Sequence, residues 1–160
     1  MARTWLPIRV DLIGGGGLEL DPAPGRVLIV GPSHSFEVFA EAIDAAFARW
    51  DLSHLHSFEL ADGRLIGFPD DPFEPDAGWL DHAKLKVCRE LAPGEEFEYV
   101  FDLGDNWRHR CTVAQAKVDP LDVYGVVPAR PVAIEGWGWI PDRYGRLGFE
   151  GEGGEGEELG

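Results

Sequence analysis

Three histidines and two aspartates are the residues whose types and spacing point to chemistry: His54, His56 and His109, with Asp102 and Asp105. His54 and His56 stand two apart in Leu52-Ser-His-Leu-His-Ser-Phe-Glu-Leu60, so on an extended strand both imidazoles project from one side, together with Phe58 and Leu60. Such a pair is half of a metal site and needs one or two further ligands. His109 is the candidate third ligand, and a carboxylate from Asp102 or Asp105 would orient an imidazole that binds metal or moves a proton. The same residues have plainer readings. On an apolar face His109 serves as a hydrogen-bonded core residue, Asp105 organises its own turn, and Asp102 pairs with Arg108 across a ladder. With Trp107, the candidate cluster is His54, His56, Asp102, Asp105, Trp107 and His109. His54, His56 and His109 are the ligands if a divalent metal is held; otherwise no cofactor is expected.

Placing these groups depends first on residues 97–113, which read as a β-hairpin. Phe97, Tyr99, Phe101 and Leu103 alternate along one arm, and Trp107, His109, Cys111 and Val113 along the other. A three-residue loop of Gly104, Asp105 and Asn106 would set Phe101 opposite His109, Tyr99 opposite Cys111, Asp102 opposite Arg108 and Glu98 opposite Thr112. Asn106 would then hold the left-handed position. A slip of one residue would turn every aromatic to the wrong side.

The helix to cover that face is predicted at about 34–50. Phe36, Phe39, Ala40, Ile43, Ala46, Phe47 and Trp50 recur at helical spacing, and Ser33 or Ser35 is placed to cap the start. Residues 5–12 alternate as a strand that starts late at Pro7 or lies at an edge, and Arg26-Val-Leu-Ile-Val30 reads as a buried strand. Gly14–Gly17 lacks the strand-then-helix context of a phosphate-binding loop and reads as a flexible connection. Residues 61–79, rich in Asp, Pro and Gly, read as a long loop without the calcium-binding spacing. Lys84-Leu-Lys-Val87 reads as strand, then a short helix near 86–91 ends before Pro93-Gly94. Residues 119–149 read as an irregular segment, its tryptophans Trp137 and Trp139 either packed on the core or exposed as partner anchors, with packing favoured. Residues 150–160, almost wholly Gly and Glu, read as a disordered acidic tail after a single domain at 1–149.

Composition removes whole classes of function. The chain has 160 residues, 29 acidic and 14 basic, for a formal charge of −15, and such a surface repels phosphate backbones, so no direct nucleic-acid binding is expected. Cys88 and Cys111 lack metal or redox spacing and read as reduced, packed thiols, which suits a cytoplasmic address. The first residues carry no apolar leader, no apolar run approaches membrane-spanning length, and no membrane partner is expected. Nucleophile-elbow, Walker and dinucleotide-binding patterns are absent, as is a basic helix-turn-helix.

The order Ser33-His-Ser-Phe36, His54-Leu-His-Ser-Phe58 and Phe97-x-Tyr-x-Phe-Asp-x-Gly-Asp-Asn-Trp-x-His109 resembles the Ri-plasmid Orf-three-like family, found on plasmids and as a passenger of insertion elements. The resemblance covers about residues 5–118. It implies an α+β domain with a curved, antiparallel-rich sheet, or roll, on one main helix, and some members carry a transposition-associated or resolvase label. Many members end in a segment resembling Gly-x-Gly-x-Cys-Pro-Pro-x-x-Cys. Here the stretch is Glu135-Gly-Trp-Gly-Trp-Ile-Pro-Asp-Arg-Tyr144, without cysteine. The expectation is therefore a non-catalytic accessory or protein-interaction module of mobile-element origin with a protein partner. The alternative is a metal-dependent, hydrolase-like enzyme using His54, His56 and His109.

Overall fold

The computed structural model describes residues 3–48, 55–69, 78–101, 105–141 and 144. Among them a curved, open sheet of nine strands carries the fold. In chain order these are β1 (Leu6–Gly15), β2 (Leu18–Glu19), β3 (Gly25–Val30), β4 (His56–Glu59), β5 (Leu65–Gly67), β6 (Leu80–Asp81), β7 (Glu96–Phe101), β8 (Trp107–Val113) and β9 (Val132–Trp137). The spatial order is β6-β5-β4-β7-β8-β1-β3-β9, with β2 folded back on β1. Every described pairing is antiparallel except β5 with β6. The class is α+β, with one main helix, α1 (Phe36–Ala46), and two single-turn helices, α2 (Val87–Glu90) and α3 (Pro120–Val123).

Alternation along the strands makes the layers. Ile8, Val10 and Leu12 of β1, Phe97, Tyr99 and Phe101 of β7, and Trp107, His109, Cys111 and Val113 of β8 are buried on one face. α1 lies over that face through Phe36, Phe39, Ala40 and Ile43. Phe58 is the centre of the contact, its ring 5.0 Å from Phe36, 5.8 Å from Phe39 and 4.8 Å from Tyr99. Removing so enclosed a ring costs ~3–5 kcal/mol.

α1 is shorter than the apolar stripe predicts, and hydrogen bonding sets both ends. Ser35 Oγ accepts from the Val38 N–H at 3.3 Å, while the Phe36 and Glu37 N–H groups donate to the carbonyls of Leu85 and His82. Donors that a helix start leaves open are thus satisfied. At the other end the Phe47 and Ala48 N–H groups close on Ile43 and Ala45, and Ala48 turns to φ 64°.

The hairpin of β7 and β8 keeps its predicted faces but not its predicted register. Phe101 pairs with Trp107, Tyr99 with His109 and Phe97 with Cys111, a shift of two residues that preserves which side chains point inward. The described part of β7 ends at Phe101 and β8 begins at Trp107. Val100 takes the place opposite Arg108 expected of Asp102, and Arg110 takes the place opposite Glu98 expected of Thr112. Asn106 does adopt a left-handed conformation, φ 55°. β1 is an interior strand between β8 and β3 rather than an edge, and Pro7 is accommodated because it is only the second residue of β1. Leu65–Gly67 forms β5 inside the expected long loop, residues 82–85 make turns instead of a strand, and β9 supplies regular pairing within 119–149.

Gly14–Gly17 is not a flexible connection. Gly14 and Gly15 finish β1, and Gly16–Gly17 turn the chain into β2, with the Gly16 N–H bonded to the Asp105 carbonyl at 2.7 Å. A Cβ on Gly15 would stand 2.4 Å from Cε3 of Trp107 and 2.7 Å from its Cα, whereas one on Gly17, at φ +86°, would meet nothing within 4 Å. Gly17→Ala then carries only the backbone strain of ~1–2 kcal/mol, and Gly15→Ala adds an overpacking cost of ~1–3 kcal/mol. Urea denaturation of the two variants is expected to rank Gly15→Ala as the more destabilised, with loss of its near-ultraviolet Trp signal.

Candidate functional site

His109 sits in the middle of the inner face and is completely buried. Its Nδ1 lies 3.0 Å from the Tyr99 carbonyl, which can only accept, so Nδ1 carries the proton. Nε2 is then an acceptor, and the Tyr144 hydroxyl donates to it at 2.9 Å. Tyr99 in turn donates its hydroxyl to Oδ1 of Asp44 on α1 at 2.9 Å. A line of hydrogen bonds thus runs from helix through sheet to the C-terminal segment. Burial, partly opposed by hydrogen bonds to the backbone of Tyr99 and Trp107, lowers the His109 pKa from 6.5 to about 4.

His56 stands on β4, beside Phe101 of β7. Its partner is a residue that strand spacing does not reveal: Nε2 of His56 is 2.9 Å from Nδ1 of His82, which follows β6. His82 is buried too, and its Nε2 lies 3.9 Å from Oε2 of Glu37 in the first turn of α1. Burial, and secondarily the charge that His82 can carry, lower the His56 pKa to about 3. The ring of Tyr99 neighbours both His56, at 5.9 Å, and His109, at 5.0 Å.

Of the six sequence candidates, the structure places three inside and one outside. His56, Trp107 and His109 are in the interior, and Asp105 is exposed at the hairpin turn, its carbonyl accepting from Gly16. His54 and Asp102 lie outside the described residues. His56 and His109 each have their own partners, and among the described residues no group of three or more His, Cys, Asp or Glu is arranged to hold a metal. Cys88 and Cys111 are both free thiols, with Cys88 Sγ donating to the Val30 and Gly31 carbonyls at 3.4 and 3.5 Å.

The outside of the molecule has a feature the sequence reading missed. Leu121, Val123, Tyr124, Val126 and Val127 are all exposed, Val126 and Val127 by 59% and 61%. Their backbone is held: Trp5 exchanges two backbone hydrogen bonds with Val118, and His34, whose Nδ1 accepts from the Gly31 N–H, donates Nε2–H to the Ala129 carbonyl at 3.0 Å. Beside this strip a shallow groove of about 520 Å³ runs between Ala42, Ala45 and Ala46 of α1 and Tyr124, Pro131 and Val132. An alternation of apolar side chains with α3 and turns gives no sheet or helix period, so only their exposure identifies them. Trp139, expected to pack, is 62% exposed, whereas Ile140 and Tyr144 reach the core.

A curved open sheet, one amphipathic helix across it and an inward-facing Tyr-His hairpin define an α+β roll whose buried tyrosines and His109 are hydrogen-bonded from within. Residues 18–143 match the plasmid pRiA4b ORF-3-like protein family. The chain belongs to that family. It is also similar in fold to a protein of unknown function, MM3350, from Methanosarcina mazei Go1, with a TM-score of 0.64, 24% identity, and coverage of 82% of this chain and 68% of that one. Among curated proteins nothing matches. No described helix is long and apolar enough to cross a membrane.

The histidines give the fold a definite pH dependence. An unfolded chain protonates them near 6.5, whereas the folded protein resists until about 4 at His109 and about 3 at His56. Between about pH 6.5 and 4 the unfolded state binds more protons, so stability falls on acidification by ~1.4 kcal/mol per pH unit for each histidine. His109→Gln should flatten the slope of unfolding free energy against pH by about that amount, whatever its absolute stability. Tyr144→Phe, which strips the donor from Nε2, should cost ~1–3 kcal/mol at neutral pH.

Proposed function

We propose that this domain is a non-catalytic protein-interaction module, accessory to the mobile elements from which its family takes its name. The observation that carries this reading is the exposed run Leu121–Val127 on a backbone tied down by His34 and Trp5. Aliphatic and aromatic side chains presented together on a fixed frame are the usual core of a partner contact. The inward histidines and tyrosines, by contrast, are engaged with one another. The partner is a protein with apolar side chains inside a basic rim, since a formal charge of −15 attracts cationic surfaces and repels nucleic acid. Support from the family is one of kind: its name comes from a plasmid reading frame.

The test replaces Val126 and Val127 together by Asp. Both are on the surface, so the change in unfolding free energy should stay within ~0.5 kcal/mol each. Crosslinking in the source cell should show a discrete adduct with the unaltered protein that the double variant loses. Salt-dependent binding of the isolated protein to duplex DNA would overturn the proposal. So would elemental analysis of untagged protein finding stoichiometric zinc or manganese that disappears in His56→Ala, the signature of a hydrolase-like metal site using His54, His56 and His109.

A further inference from the structure

The face of the sheet away from α1 carries a second set of groups, independent of the Leu121–Val127 strip. Arg9 of β1 points outward, and its guanidinium is fixed on two sides. Nε donates to both carboxylate oxygens of Asp11, at 3.2 and 2.9 Å, and the plane lies 4.7 Å from the centre of the Trp137 ring of β9. Asp11 is itself well buried. Trp137 reaches this position because Gly25 intervenes without a side chain: a Cβ there would meet the indole at 2.4 Å and Asp11 Oδ1 at 2.8 Å. These bonds use Nε alone and leave the two terminal nitrogens of Arg9 as a pre-oriented fork, the geometry that matches a carboxylate.

Around the fork is a recess of about 450 Å³ lined by Pro7, Val27, Val113 and Ala114, with Thr112 directly opposite Arg9 in the ladder. Its walls are mostly apolar. Arg110, opposite Asp11 and next along the same face from Thr112, balances the Asp11 charge, and Glu98 faces Arg110 from β7. Glu96, opposite Thr112, and Glu135, opposite Val27, leave the face net acidic, so a dianion or a polyphosphate is repelled and a monoanion is held only by direct contact with the Arg9 fork. We propose that this recess binds a carboxylate attached to an apolar body, with the Arg9 fork on the carboxylate, the Thr112 hydroxyl beside it and the apolar body against Pro7, Val27 and Ala114. Such a ligand is either a free apolar acid or the C-terminus of a polypeptide ending in an aliphatic residue.

The test titrates the full chain with N-acetyl-leucine, its amide, and an uncharged hexapeptide ending in Leu-Leu with a free or amidated C-terminus. The readout is the indole N–H signal of Trp137 in a nitrogen–proton correlation spectrum, assigned by its absence in Trp137→Phe. Free acids should shift that signal saturably and bind at least ~tenfold more tightly than the amides, the scale of one charge-assisted fork. Arg9→Lys should remove that discrimination, and Thr112→Val should weaken the acids without touching the Arg9–Trp137 stack. Tighter binding of the free-acid peptide than of N-acetyl-leucine assigns the recess to polypeptide C-termini, and equal binding assigns it to small acids. Acids and amides shifting the signal alike, or Arg9→Lys binding as the parent does while its unfolding curve is unchanged, would overturn the proposal.

Discussion

A sheet face that carries a tyrosine and histidines among its phenylalanines can close under a helix only if each hydroxyl and imidazole it takes out of water is met by a partner. The line Asp44–Tyr99–His109–Tyr144 meets that condition, and it does so by joining three parts of the chain that lie far apart in sequence. The net gain from each bond is ~1 kcal/mol, but an imidazole left unpaired in this interior costs as much or more. The bonds therefore select a geometry more than they supply stability. Bulk stability comes from the packing of Phe36, Phe39, Phe58 and Phe97, all fully or almost fully buried. One consequence is that α1, the β7–β8 hairpin and Tyr144 cannot shift separately without exposing or orphaning a polar atom.

The same constraint reaches the turn end of the hairpin. Trp107 precedes His109 on the inward side, and its indole fits only because Gly15 of β1 presents bare backbone, just as Gly14 leaves room for the Arg108 guanidinium. The first two of the four consecutive glycines thus act as a surface against which large side chains close. The bond from Gly16 to the Asp105 carbonyl then fixes the two turns to each other.

What the sequence made legible, and what it concealed, divides along the range of the interactions. Local period marked the inward face of both hairpin arms, the main helix and its cap at Ser35, because burial of alternate or every third-to-fourth residue is a strong, local demand. The hairpin register was misjudged by two residues, since face parity is unchanged by a shift of two and only the length of the turn decides between them. His82 was invisible as the partner of His56 because nothing within residues 80–84 marks it; the pairing exists only once β5 and β6 bring that loop beside β4. Gly14–Gly17 misled for the complementary reason: the side chains that need the space, Trp107 and Arg108, arrive from more than ninety residues away.

Taking the histidines into the interior has a consequence for where recognition can occur. An imidazole held neutral by burial and already bonded at its ring nitrogens, as His109 is, has little left to offer a ligand, while His34 spends both of its nitrogens holding backbone at Gly31 and Ala129. Those bonds do their work at a distance. With the Trp5 backbone pairing at Val118, the His34 bond at Ala129 holds the intervening apolar side chains on a frame that is ordered before any partner arrives, so less conformational entropy is lost on association. On the opposite layer Trp137 and Asp11 do the same for the Arg9 guanidinium. In both places the groups that the fold buries or half-buries set the orientation of the ones it leaves exposed, and the chemistry offered to the outside is decided by hydrogen bonds made inside.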